Sequence, residues 1–209
     1  GVHSPHLFRT QLTRDVFHIE EDRLRIVTGD VGGSFGMRGA LFVEIVLVLW
    51  AAQRVGRPVK WAASRTESFV SDHHGRDVIS DAELALDEAG KFVGLRVSIK
   101  TNMGAYLSIK GPRSPLNALT LLAGCYKISA CDVSASGVMT NTVPTAPYRG
   151  AGGPEAAYVL ERLIDKAAME TGIDRVDVRR RNLIAAADMP YDTGLGLTYD
   201  CGAFEEVMD

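Results

Sequence analysis

The sequence predicts an α+β fold, and three observations carry that prediction. Apolar residues recur at helical spacing over 154–171, and Gly172 closes the run. The stretch "RDVISDAELALDEAGKFVGLRVSIKTNMGAY" alternates apolar and polar residues on both sides of a glycine-bearing turn, as an antiparallel hairpin does. Helical and extended segments are interspersed along the chain, yet the hairpin rules out a purely parallel sheet.

Taken in order, residues 7–22 read as a short amphipathic helix through Leu7, Phe8, Leu12, Val16 and Phe17. "RLRIVTGD" reads as a strand rich in β-branched residues. Residues 39–55 form a predicted helix, closed by Gly56 at the first position beyond it and by Pro58. That helix is apolar almost all round, with Glu44 the only charge before Arg54, so it is expected in the core. "PVKWAAS" is a predicted strand, and in the hairpin that follows Gly90 of "DEAGK" supplies positive φ, while Val93, Leu95, Val97 and Ile99 alternate inward. "CYKISACDVSASGVMTN" is a further extended stretch. Pro154 and Glu155 open the helix over 154–171, whose buried face is Ala157, Leu160, Ile164, Ala167 and Ala168. "DRVDVRRRNLI" is a short basic helix, and the tail is loop-rich until "FEEVMD" turns helical.

Composition narrows the function classes. With 46% hydrophobic and 23% charged residues over 209 positions, the chain has the makings of a substantial core. A net charge of −3 and the lack of a basic patch argue against a nucleic-acid partner. Cys125, Cys131 and Cys201 are odd in number and lack metal-ligand spacing, which points away from a disulfide framework or zinc site and toward a reducing compartment. No apolar run reaches the roughly 18 residues of a membrane span, and "GVHSPHLFRTQLTR" lacks the apolar stretch of a signal peptide. The expectation is a cytoplasmic protein with no membrane partner.

The glycines carry the chemistry. Gly29, Gly32, Gly33 and Gly36 stand between an extended segment and a helix; Gly150, Gly152 and Gly153 precede another. Free N–H groups and the positive end of a helix dipole converge at such places, and glycine lets a ligand approach the backbone. The first loop is neither a Rossmann fingerprint nor a P-loop. A tight turn needing positive φ explains one such loop equally well. Two of them, one bearing Arg149, favour a phosphate-bearing ligand.

Two longer segments, "DVGGSFGMRGALFVEIVLVLWAAQRVGRPVKW" and "APYRGAGGPEAAYVLERLIDKAAMETGIDRVDVRRRNL", resemble the large, molybdenum-binding subunit of the molybdenum hydroxylases. That family comprises xanthine dehydrogenases, aldehyde oxidoreductases and aerobic carbon monoxide dehydrogenases. "SRTESFVSDHHGRD", "GAYLS" and "GCYKIS" lie where the family has comparable segments. The resemblance implies an α+β molybdopterin-binding domain over 1–209: the first loop and core helix in 1–75, antiparallel strands in 76–145, and the second loop with its helices in 146–209. It implies that Gly32, Gly33, Ser34, Phe35 and Gly36 pack on the molybdopterin. Tyr148, Arg149, Gly150, Ala151 and Gly152 would pass the metal on the substrate side. Arg149 would be catalytic, stabilising negative charge on the substrate oxygen.

The implied cofactor is molybdenum with molybdopterin in the cytosine dinucleotide form, with no protein ligand to the metal. The implied reaction hydroxylates an aldehyde or N-heterocycle with water, and iron–sulfur and FAD centres on partner subunits or domains of a hetero-oligomer take the electrons. The family's general base lies beyond residue 209, so the chain is expected to be an internal piece, inactive alone; a glutamine near the metal also falls outside, unless "VHSPH" replaces it. Departures narrow the substrate: Gly150 stands where the carbon monoxide branch has a copper-binding cysteine, Gly39 where the purine branch has a glutamate, and Ala151 where purine enzymes have an aromatic. A non-catalytic molybdopterin-binding module and an unrelated nucleotide-binding α+β domain remain alternatives. The other polar residues read as structural: His73 and His74 as a polar turn, Glu44 as a hydrogen-bonded buried acid, and Arg179, Arg180 and Arg181 as a solvated face or subunit contact.

Overall fold

The computed structural model describes residues 4–39 and 41–209. Along the chain run α1 (Pro5–Thr10), continued by a π-helical turn over Gln11–Phe17, α2 (Val43–Val55), α3 (Arg65–Ser71), β1 (Val78–Leu86), β2 (Phe92–Gly104) and α4 (Arg113–Leu121). Then follow β3 (Cys131–Met139), α5 (Gly153–Thr171), α6 (Arg175–Asn182), the two-residue strands β4 (Tyr191–Asp192) and β5 (Thr198–Tyr199), and α7 (Phe204–Met208). "VHSPH" and the start of the predicted helix over 39–55 lie partly outside the described residues.

The main sheet has the order β1-β2-β3. β1 and β2 form the expected hairpin, with Gly90 at φ 77°. A register shift at Ala85/Leu86 sets Leu86 opposite Phe92, so Phe92 turns inward and Val93, expected inside, is 40% exposed. Beyond the bulge, alternation holds: Leu95, Val97 and Ile99 are buried. β3 pairs with β2 in parallel, so 76–145 is not wholly antiparallel. A parallel neighbour needs a crossover, and α4 is its helix.

Helices α4 and α5 close one face of this sheet. Ala156, Leu160, Ile164 and Ala168 of α5 meet Ala118 of α4, the inward residues of β2, and Leu122, Tyr126 and Val178 in one core. Ala157, expected on that face, is exposed. Asn182, inside the predicted basic helix, is buried and ties α6 to the hairpin. Its Oδ1 accepts from the Phe92 N–H at 2.8 Å, and its Nδ2 donates to the Gly90 carbonyl at 2.9 Å. The three arginines are engaged within the chain. Arg179 bonds Glu161 and Asp165 of α5, Arg180 bonds Glu205 and Asp209, and Arg181 donates to the Ala89 carbonyl.

The N-terminal third departs from expectation. No residue of α2 is buried, and Val43, Leu47, Trp50 and Val55 are each at least half exposed, because no described element covers that face. The predicted strands at 23–30 and 58–64 are absent; apolar residues become a strand only beside a partner, and these segments have none among the described residues. Residues 7–22 divide into α1, the π-turn and a short 3₁₀ turn. His73, read as a turn residue, is buried instead, stacked on Phe42 at 4.8 Å.

Candidate functional site

The two glycine loops meet. In the first, Gly33 (φ 118°), Phe35 (φ 52°) and Gly36 (φ 100°) curl the backbone through left-handed conformations. A Cβ on Gly36 would lie 2.5 Å from the Pro147 carbonyl oxygen, so glycine there is what lets the first loop touch the second. The Phe35 and Tyr148 rings face each other with centroids 6.5 Å apart. The second loop is a run of three positive-φ residues, Gly150, Ala151 and Gly152, leading into α5. The Ala151 N–H bonds the Tyr148 carbonyl, the Gly153 N–H bonds the Gly150 carbonyl, and Asn117 of α4 donates to the Ala151 carbonyl at 3.1 Å.

Arg76, which the sequence did not single out, clamps this loop. Its guanidinium donates to the Arg149 carbonyl and stacks 4.8 Å from the Tyr148 ring centroid. It also stands 4.0 Å from a carboxylate oxygen of Glu155 in the first turn of α5. Arg76 holds this position with φ 58°, unusual for a residue with a side chain.

A cavity of about 540 Å³ opens where the loops meet. Of the predicted site residues, Phe35, Gly36, Tyr148, Arg149, Gly150 and Ala151 line it. Gly32, Gly33, Ser34 and Gly152 do not. Gly152 is buried against α4, where a Cβ would sit 2.1 Å from the Ser114 carbonyl oxygen; a Cβ on Gly150 would sit 2.5 Å from Pro154. These glycines make room for the protein itself. Gly32 is different, with no atom of the described residues within 4 Å of its Cβ position. The hydroxyl of Ser34 is buried and unpartnered among the described residues. Lys110 and Arg113, just before and at the start of α4, add two cations to the wall.

A second cavity of similar size, about 550 Å³, lies under the start of α2 between Phe42, Glu44, His73 and Leu107. Among its polar groups, the His73 Nδ1 and the Glu44 Oε2 are buried and unpartnered among the described residues. Burial pushes the His73 imidazole below its usual range, against the pull of Asp72 and Glu44. Glu44 therefore lacks a full set of the hydrogen bonds expected for it. Lining rather than volume separates the two cavities: the first gathers parts of both glycine loops and three cations, whereas the second has one histidine, one acid and no cation among apolar and neutral polar residues. Among the described residues no cluster of three His, Cys, Asp or Glu side chains is arranged to hold a metal ion.

Two left-handed glycine loops wall one cationic cavity on an α+β core. Residues 2–183 match the molybdopterin cofactor-binding domain, and the chain belongs to that family. It is 35% identical to the gamma subunit of the 6-hydroxypseudooxynicotine dehydrogenase complex of Paenarthrobacter nicotinovorans, over 88% of this chain and 23% of that protein. It is 34% identical to the carbon monoxide dehydrogenase large chain of Hydrogenophaga pseudoflava, over 99% of this chain and 26% of that one. Among solved structures, quinoline 2-oxidoreductase from Pseudomonas putida 86 superposes with a TM-score of 0.95 at 30% identity, covering 99% of this chain and 26% of its own. The chain thus spans about a quarter of the length of these relatives.

The residues suit a molybdopterin. The orphaned Ser34 hydroxyl and the open space at Gly32 offer hydrogen-bonding and close approach along the first loop. A dithiolene-held metal needs no protein ligand, and its coordination makes no demand on the side chains found here.

Proposed function

We propose that this chain forms the cofactor-seating part of a large subunit that hydroxylates an aldehyde or N-heterocycle with water. The observation that carries the reading is the meeting of Phe35–Gly36 with Tyr148–Ala151 around one cavity, with Arg149 in its wall. The cofactor of this reading is molybdenum with molybdopterin in the cytosine dinucleotide form. It supplies the two-electron oxidation, and iron–sulfur and FAD partners in a cytoplasmic hetero-oligomer carry the electrons away.

The chain's own contributions follow from its geometry. Gly32, Gly33 and Ser34 present backbone and hydroxyl donors to the pterin and its pyrophosphate. Gly36, Gly150 and Gly152 fix the distance between the two loops, so that a substrate between them meets a preset gap. Arg76 holds the Arg149 carbonyl, which fixes the backbone from which the Arg149 guanidinium extends. That guanidinium is placed to stabilise negative charge growing on the substrate oxygen, the role in which a fixed planar cation is most effective. Gly150 supports oxidation of organic substrates over copper-assisted carbon monoxide oxidation. Its left-handed φ of 95° and the contact its Cβ would make with Pro154 both disfavour a cysteine there.

The test is Arg149→Ala in the holoenzyme, with molybdenum content and steady-state rate measured on the same preparation. The expected result is full metal loading with kcat lower by about 10²–10³, the loss typical of one transition-state donor. A metal-free protein would mean that Arg149 anchors the cofactor, and the catalytic role would fall.

A further inference from the structure

The cavity between the glycine loops carries three positive side chains, Lys110, Arg113 and Arg149, and no carboxylate. None of the three forms an ion pair or a side-chain hydrogen bond among the described residues. Arginines such as Arg38, Arg76, Arg96, Arg179 and Arg180 do find acidic partners; what sets this cluster apart is that three unpaired cations share one concavity. The cluster is not a by-product of a basic chain either, since the net charge is −3. Three like charges around one concavity repel one another, and an anion entering it relieves that repulsion. The same cavity has aromatic lining in Phe35 and Tyr148, both about half exposed, and the small Ala151 also lines it.

We propose that this cavity selects a negatively charged small molecule, an aromatic or heteroaromatic carboxylate, with Lys110 and Arg113 as its specificity-determining residues. The inference rests on the proposed function for the role of Arg149, which is committed to the reacting end of the substrate. Lys110 and Arg113 stand three residues apart where the chain enters α4, and their cations remain for the far end. Arg113 offers a planar fork suited to a carboxylate, while Lys110, half-buried, adds a point charge beside it. The rings of Phe35 and Tyr148 flank the body of the molecule between these two ends.

A second source of the same negative charge exists, the phosphates of the cofactor, and the experiment separates the two. Holoenzyme and the variants Lys110→Gln, Arg113→Gln and their double are assayed with 4-formylbenzoate and with benzaldehyde, using an artificial dye as electron acceptor. Binding of benzoate and of benzamide is measured by calorimetry at low and high salt, and molybdenum and pterin contents are determined. Each single substitution is expected to raise KM for 4-formylbenzoate about 5-fold, the range of a partly exposed ion pair, and the double about 25-fold. KM for benzaldehyde, kcat and cofactor content should stay within twofold. Benzoate should bind wild type more tightly than benzamide does, by a margin that salt and the double variant both erase.

Equal losses for both aldehydes would overturn the proposal, as would equal binding of benzoate and benzamide to wild type. Loss of molybdenum or pterin from the double variant would assign the cations to the cofactor's phosphates and overturn it too. If the wild-type holoenzyme oxidises neither aldehyde, that outcome bears on the proposed function, and the benzoate arm still decides whether the cavity selects anions.

Discussion

The second glycine loop makes a sharp prediction about stability, because two of its neighbouring glycines look alike in sequence and differ in space. Gly152 and Gly172 bracket α5, and both have positive φ, at 98° and 72°. Gly172 has nothing near its Cβ position, so Gly172→Ala meets only the left-handed backbone, a penalty of about 1 kcal/mol. Gly152→Ala meets that penalty and a clash as well. Its Cβ would stand 2.1 Å from the Ser114 carbonyl oxygen and 2.8 Å from the Ala118 nitrogen, both backbone atoms of α4 that cannot rotate away. Forcing two packed helices apart adds roughly 1–3 kcal/mol, for a total of about 2–4 kcal/mol. Urea unfolding of the two variants side by side measures the difference through the transition midpoints at equal slope. Two variants within 1 kcal/mol of each other would refute the claim that Gly152 seats the loop on α4.

Other expectations follow from the same geometry. Arg76→Ala should release the loop: hydrogen exchange at the Ala151 and Gly153 amides should speed up at least tenfold while the β1–β2 hairpin is unchanged, and Arg76→Lys should restore part of the protection. Unaltered exchange would show that the clamp is dispensable. Asn182→Ala leaves the buried Phe92 N–H and the Gly90 carbonyl without their partner and should cost about 2–4 kcal/mol, read from the thermal midpoint. For His73 the sign comes from burial, which lowers its folded-state pKa below the unfolded value of about 6.5. The unfolded chain then takes up the proton first, so stability contributed by His73 is complete above about pH 6.5 and is lost as the pH falls toward its lower folded value. Thermal midpoints from pH 8 to 5 should therefore fall less steeply in His73→Gln than in the wild type.

What was legible in the sequence is what local rules govern. The hairpin announced itself through alternation and the turn glycine Gly90, and α5 through its spacing and Gly172, because both elements make their own hydrogen bonds. The segments at 23–30 and 58–64 are as apolar and β-branched as true strands, but a strand depends on a partner that the sequence does not name. Apolarity misled in the same way at α2. It tells that a helix has something to cover, and the half-exposed Leu47 and Trp50 show that no described element covers it. Nor did local rules reveal that β3 runs parallel to β2, since that depends on the α4 crossover. One missed element had a readable signal: Ser64 and Glu67 form a capping box at the start of α3, with the spacing that defines the motif.

The site divides along the same line. Two glycine loops and an arginine were enough to indicate an anionic cofactor, yet glycine in a sequence marks a space without saying what fills it. Here the space beside Gly36 is filled by Pro147, that beside Gly150 by Pro154 and that beside Gly152 by α4, while Gly32 alone among the predicted site glycines has no described residue beside it. The glycines nearest the cavity thus serve contacts within the protein, and the side chains around them come from elsewhere in the chain. Arg76 reaches the loop across 73 residues, and Lys110 and Arg113 arrive through a helix that the sequence did not announce. Chemistry specific to this chain is therefore expected in Lys110 and Arg113, which stand with Arg149 in the cavity wall, while Arg76 holds the loop from behind; on the proposed reading the loops set the gap and the wall's cations decide which charge enters it.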